Sequence, residues 1–147
     1  MAETNIHGVL ALIQSTIEGV TPTRDPAWLF KQALDMAPDK GRRTRNFTVD
    51  VVSSFPVDLG AIRSGTGTYI QNVEFVISIY YTDKNSSIES NASLVEDANS
   101  IIQALYNSAY RPFTSDGFRW NGSTIQPTEN GGLIQSVTIE SRIITVA

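Results

Sequence analysis

The chain has 147 residues, of which 41% are apolar and 18% charged, a length that suits one domain able to bury roughly 70% of its unfolded surface without a disulfide, metal or cofactor. It has no cysteine and a single histidine, His7, which excludes disulfide scaffolds, thiolate metal sites, cysteine nucleophiles and multi-histidine metal centres. The net charge of −4 argues against tight, sequence-independent duplex binding, which depends on neutralising phosphates.

A first helix is expected over about residues 4–18. Ile6, Leu10, Ile13 and Ile17 recur at one helical face and Val9 widens it. Thr4 or Asn5 supplies a cap, Gly19 stands where a left-handed C-cap belongs, and Thr21-Pro22 blocks continuation. Asp25-Pro26 then offers a second helix start, and Phe30, Ala33, Leu34 and Ala37 give it a short apolar face, so a short helix is expected over 26–36. Arg42, Arg43 and Arg45 follow in a polar, basic loop. Long irregular connections of this kind are often functional.

From Asn46 the period changes to two. Phe47, Val49 and Val51 alternate with Thr48 and Asp50 in a strand expected over about 46–54, closed by Phe55-Pro56. The strongest strand signal covers about 69–82, with Val73, Phe75, Ile77, Ile79 and Tyr81 on one face. Its length exceeds the usual five or six or so, and the surplus is expected to project from the domain. The connection between these strands holds Ser64-Gly65-Thr66-Gly67-Thr68. A second long helix is expected over about 87–110, with a capping box at Ser86/Glu89 or Ser93/Glu96 and an apolar stripe of Leu94, Ala98, Ile101, Ile102, Leu105 and Ala109. Arg111-Pro112 ends it. Strands are expected over 118–126, interrupted at Asn121-Gly122, and over 133–146, joined as a hairpin by Asn130-Gly131-Gly132. The sum is a single α+β domain spanning 1–147: two layers, a mainly antiparallel four-stranded sheet packed by two amphipathic helices, with a long irregular segment and projecting loops.

The sequence assembles no recognisable catalytic or cofactor-binding motif. His7 lies beside the core stripe of a helix, where a partly exposed histidine is the ordinary reading. Gly65-Thr66-Gly67 lacks the lysine and the following helix of a phosphate loop. Asp50, Glu74 and Glu140 fall on the solvent side of their strands, and Glu96-Asp97 reads as a solvated helix face. No calcium loop occurs, and no metal or cofactor is expected. The Arg42, Arg43 and Arg45 cluster admits three readings: nucleic acid, an acidic protein surface, or a solubilising loop. Residues 47–147 carry five Lys/Arg against ten Asp/Glu, an acidic body past which nucleic acid slides. Ser, Thr, Asn and Gln supply 44 residues. Such short polar groups lose little side-chain entropy when covered, and so tolerate protein contact. No targeting segment and no membrane span are expected.

The element order and the run Arg45-Asn46-Phe47-Thr48-Val49, leading into the first long strand, give the chain a texture. So does the helix Leu94-Val95-Glu96-Asp97-Ala98, continued by Ile101-Ile102-Gln103-Ala104-Leu105. In both respects the whole chain resembles the tail terminator proteins of long-tailed bacteriophages. The resemblance implies a homo-oligomeric ring, a hexamer, that caps the tail tube, stops its growth and meets the head connector or stopper protein. It implies no catalysis or cofactor, and DNA passing through the ring without specific binding. It places the protein in the virion neck, and in the host cytoplasm during assembly. On this reading Trp28 and Phe30 in the irregular segment, and Trp120 in the last hairpin, are the aromatic anchors of subunit or partner contacts. Arg42, Arg43 and Arg45 pair with acids of a neighbour. Gly65 and Gly67 lie in a connection that settles on docking. A head-completion or other neck adaptor protein is the nearest alternative, and a monomeric small-ligand or enzymatic α+β domain the more distant one.

Overall fold

The computed structural model describes residues 6–23, 29–32, 44–56, 69–81, 91–107, 117–127 and 132–145. The elements run α1 (Ile6–Glu18), β1 (Leu29–Gln32), β2 (Thr44–Pro56), β3 (Tyr69–Tyr81), α2 (Asn91–Tyr106), β4 (Phe118–Pro127) and β5 (Leu133–Thr145). The class is α+β, but the sheet has five strands in the order β1-β2-β3-β5-β4, not four. It is also mixed, because β1 pairs parallel with β2 while every other neighbour is antiparallel.

The additional strand replaces the helix expected over 26–36. Leu29–Gln32 lies along Thr44–Phe47 of β2, where backbone hydrogen bonds to a sheet edge override a short and weak helical pattern. Phe30 thereby enters the core. Two other local expectations also give way. Gly19 is not left-handed. The last turn of α1 instead tightens, Gly19 N donating to the carbonyls of Ser15 and Thr16 at 3.1 and 3.2 Å, and Val20 N to that of Ile17 at 3.0 Å. Ser93 lies inside α2, buried with its hydroxyl unpaired, and so is not a cap. Ser86, Glu89, Ala109 and Asn130-Gly131 lie outside the described residues.

The alternation of β3 places Val73, Phe75, Ile77, Ile79 and Tyr81 in the core. β3 does not project. It is the central strand, paired along its length with β5 from Tyr69–Thr145 to Tyr81–Leu133 and with β2 from Gln71–Pro56 to Tyr80–Asn46. Its length reflects two long neighbours. Val9, Ile13 and Ile17 of α1 and Leu94, Ala98, Ile101, Ile102 and Leu105 of α2 pack on this face with Phe47, Val137, Ile139 and Ile143. The other face carries Asp50, Glu74, Val76, Ser78, Ser136, Thr138, Glu140 and Arg142, partly or fully exposed, and no described helix covers it. Among the described residues no helix is long and apolar enough to cross a membrane.

Both outer strands of the antiparallel part are bulged. β2 shifts register between Val51 and Ser53, and β4 between Trp120 and Gly122. The break expected at Asn121-Gly122 is therefore a bulge within a continuous strand, and Gly122 takes φ 119°, a conformation that L side chains rarely adopt.

Candidate functional site

The residues expected at a contact surface are divided by the fold. Trp28, Arg42, Arg43, Gly65 and Gly67 lie outside the described residues. Phe30 and Arg45, both expected at an interface, are buried. Arg45 leaves the basic cluster because β2 begins before it and turns its side chain toward α2. There its Nε donates to Asp97 Oδ2 at 2.6 Å, with both side chains fully buried. Its guanidinium also stands over the Phe30 ring, 5.6 Å from the centroid. Asp97 is correspondingly not on a solvated helix face, while its neighbour Glu96 accepts a bond from the Thr23 hydroxyl at 3.3 Å.

Arg45 and Asp97 belong to a closed polar network beneath the sheet. The Tyr81 hydroxyl donates to Asp97 Oδ2 at 2.8 Å. Gln135 donates from Nε2 to the Leu94 carbonyl at 2.7 Å and to the Tyr81 oxygen at 3.4 Å. Asp97 Oδ1, Gln135 Oε1 and the Ser93 hydroxyl have no partner. Burial pushes the Asp97 carboxyl above its usual range, against the opposing pull of Arg45, and burial together with Asp97 pushes the Tyr81 phenol up. A raised carboxyl in a cleft is a familiar mark of catalysis. Here Arg45 and Asp97 are fully enclosed, so no reactant reaches the pair. The network orients α2 on the sheet. Sequence reading missed it because its members come from β2, β3, α2 and β5, and nothing local links them.

The carboxylates on the open face are in part brought together. Glu74 and Glu140 are directly opposed across β3 and β5, and Arg119 Nη1 lies 3.2 Å from Glu140 Oε1. Asp50 is exposed at a separate position opposite Val76. No group of three or more potential metal ligands occurs among the described residues. A shallow cleft of about 270 Å³ beside Arg119, Glu140 and Arg142 is open and polar. His7 is exposed on α1.

Trp120 is the one expected contact residue that the fold leaves at the surface among those described, 39% exposed on β4, with its backbone N donating to the Tyr106 hydroxyl at 3.2 Å. β4 is a sheet edge. On the opposite side β1 covers Thr44–Phe47 of β2, and from Thr48 onward no described strand pairs with that side of β2. That second edge holds Val51, Val52 and Phe55, exposed by 43%, 54% and 60%. No protein-family model matches the chain, and no curated protein matches its sequence.

Proposed function

We propose that the chain is a structural virion protein that caps a phage tail tube as a homo-oligomeric ring, ends tube growth and forms the joint to the head connector. The reading starts from the likeness in element order and texture to tail terminator proteins. The single observation that carries it further is that, among the described residues, the sheet ends in two edge strands on opposite sides of one domain, each with exposed apolar side chains. An unpaired strand edge is a template for another chain. Two different edges on opposite sides make a heterologous contact, which repeats head to tail and closes into a ring when its rotation permits. The acidic body suits a passage for DNA that must slide and not bind.

Incubating the purified protein with polymerised tail tubes and viewing them by electron microscopy tests the proposal. Density at tube ends, with arrested elongation, is the expected result. Attachment only to portal-bearing heads identifies a neck adaptor instead. A protein that binds neither and remains monomeric overturns the virion reading.

A further inference from the structure

Three buried polar atoms remain once every bond of the network beneath the sheet is drawn. Asp97 Oδ1, Gln135 Oε1 and the Ser93 hydroxyl have no hydrogen-bond partner in the protein, although their residues are 0%, 0% and 1% exposed. A buried polar atom without a partner is costly, and three of them together call for a shared one. All three gather at one turn of α2. Ser93 and Asp97 stand four residues apart on the helix and so share a face. Gln135 reaches the same turn from β5. Its Nε2 donates to the carbonyl of Leu94, beside Ser93, at 2.7 Å. It donates also to the Tyr81 oxygen at 3.4 Å, and the Tyr81 hydroxyl donates in turn to Asp97 Oδ2 at 2.8 Å. Gln135 Oε1 belongs to the same planar amide as that Nε2. Arg45 Nε and the Tyr81 hydroxyl both go to Asp97 Oδ2, so neither serves Oδ1.

We propose that Ser93, Asp97 and Gln135 hold one internal water molecule between α2 and β5. The donor set decides the ligand. It consists of two acceptors and one hydroxyl. A water has two protons, one for Asp97 Oδ1 and one for Gln135 Oε1, and a lone pair that accepts the Ser93 proton. Three bonds are what a buried water ordinarily makes. Other occupants fit worse. A metal or ammonium cation would stand beside the Arg45 guanidinium, itself fully enclosed, and burying two like charges together is unfavourable. A proton on Asp97 Oδ1 could be donated to Gln135 Oε1, but it leaves the Ser93 hydroxyl unmet and sets a neutral acid against Arg45. Serine here, where α2 otherwise buries Leu94, Ile101 and Leu105, is short enough to share the turn with a water. The water bridges the two elements that the Gln135–Leu94 bond already joins, and so belongs to the docking of α2 on the sheet. The inference stands apart from the virion reading.

Two measurements on the full chain test it. A high-resolution crystal structure is expected to show one density peak within hydrogen-bond distance of all three oxygens. Magnetic relaxation dispersion of the water oxygen counts, in solution, the waters that stay bound while the protein tumbles. Ser93→Val puts a methyl group where the water is proposed, and Gln135→Met removes one of its acceptors. After circular dichroism shows each variant folded, each is expected to hold one long-lived water fewer than the native chain. An unchanged count in a folded variant overturns the proposal. So does a crystal structure in which the three atoms pair with one another or with other protein groups. A peak at about 2.4 Å from its oxygens that changes when sodium replaces potassium identifies a cation and overturns the water. Where neither variant folds, the native crystal structure decides by itself: a shared water supports the proposal and its lack overturns it.

Discussion

Arg45 shows how one residue's role depends on a partner far away in the chain. Its pair with Asp97 is fully enclosed, and removing one member of such a pair leaves an uncompensated buried charge. Arg45→Met is therefore expected to lower stability by about 3–5 kcal/mol, whereas Arg45→Met with Asp97→Leu recovers most of that loss. Urea unfolding of both variants checks the difference. The pH dependence has a definite sign. Because burial raises the Asp97 carboxyl, the folded chain holds that proton to higher pH than the unfolded chain. The stability contributed by this group is then full below the ordinary carboxylate range and is lost as pH rises through the raised value. Without Arg45 the carboxyl rises further, so the Arg45→Met deficit should be largest near neutral pH and shrink on acidification. A deficit independent of pH between 4 and 7 or so would show that lost packing over Phe30 accounts for the effect.

At the scale of elements, β1 and the β4 bulge hold the two edges apart in character. Phe30 anchors β1 in the core, and Phe30→Ala should cost about 3–5 kcal/mol, seen as a lowered urea midpoint. Gly122 has open space where a Cβ would sit but a φ of 119°. Gly122→Ala should thus cost on the order of 1–3 kcal/mol through backbone strain alone, and a crystal structure of the variant should show the bulge shifted and not a steric clash. The helices and long strands were legible because their periods are strong. Ile13 and Ile17 on α1 and the five alternating residues of β3 lie where the pattern puts them. β1 was not legible: four residues carry no period, and its partner is supplied by β2.

For the whole molecule, exposed apolar residues and edge strands matter more than buried ones. Trp120→Ala should lower monomer stability, since the residue is only 39% exposed, and should in addition weaken self-association, measured by sedimentation across a concentration series at temperatures where the variant stays folded. The double variant Arg42→Glu/Arg43→Glu addresses the rest of the basic segment. It is expected to remain folded, by circular dichroism, and to lose ring closure or tube binding if those residues meet the acidic body of a neighbour. Unchanged assembly removes that role.

The amino-acid sequence by itself determined the α+β class, the two long helices, the long strands and the core faces of β3 and β5, because hydrophobic periodicity is a local property that burial enforces. It also placed the irregularity at Asn121-Gly122, where glycine permits a positive φ. Only the tertiary structure decided that Phe30 is a core residue on a fifth strand, that Arg45 is buried against Asp97, and that Gln135 reaches α2 at Leu94. Each of these depends on pairing between segments distant in the chain, and the free energy of such pairing is set by neighbours that no local pattern names.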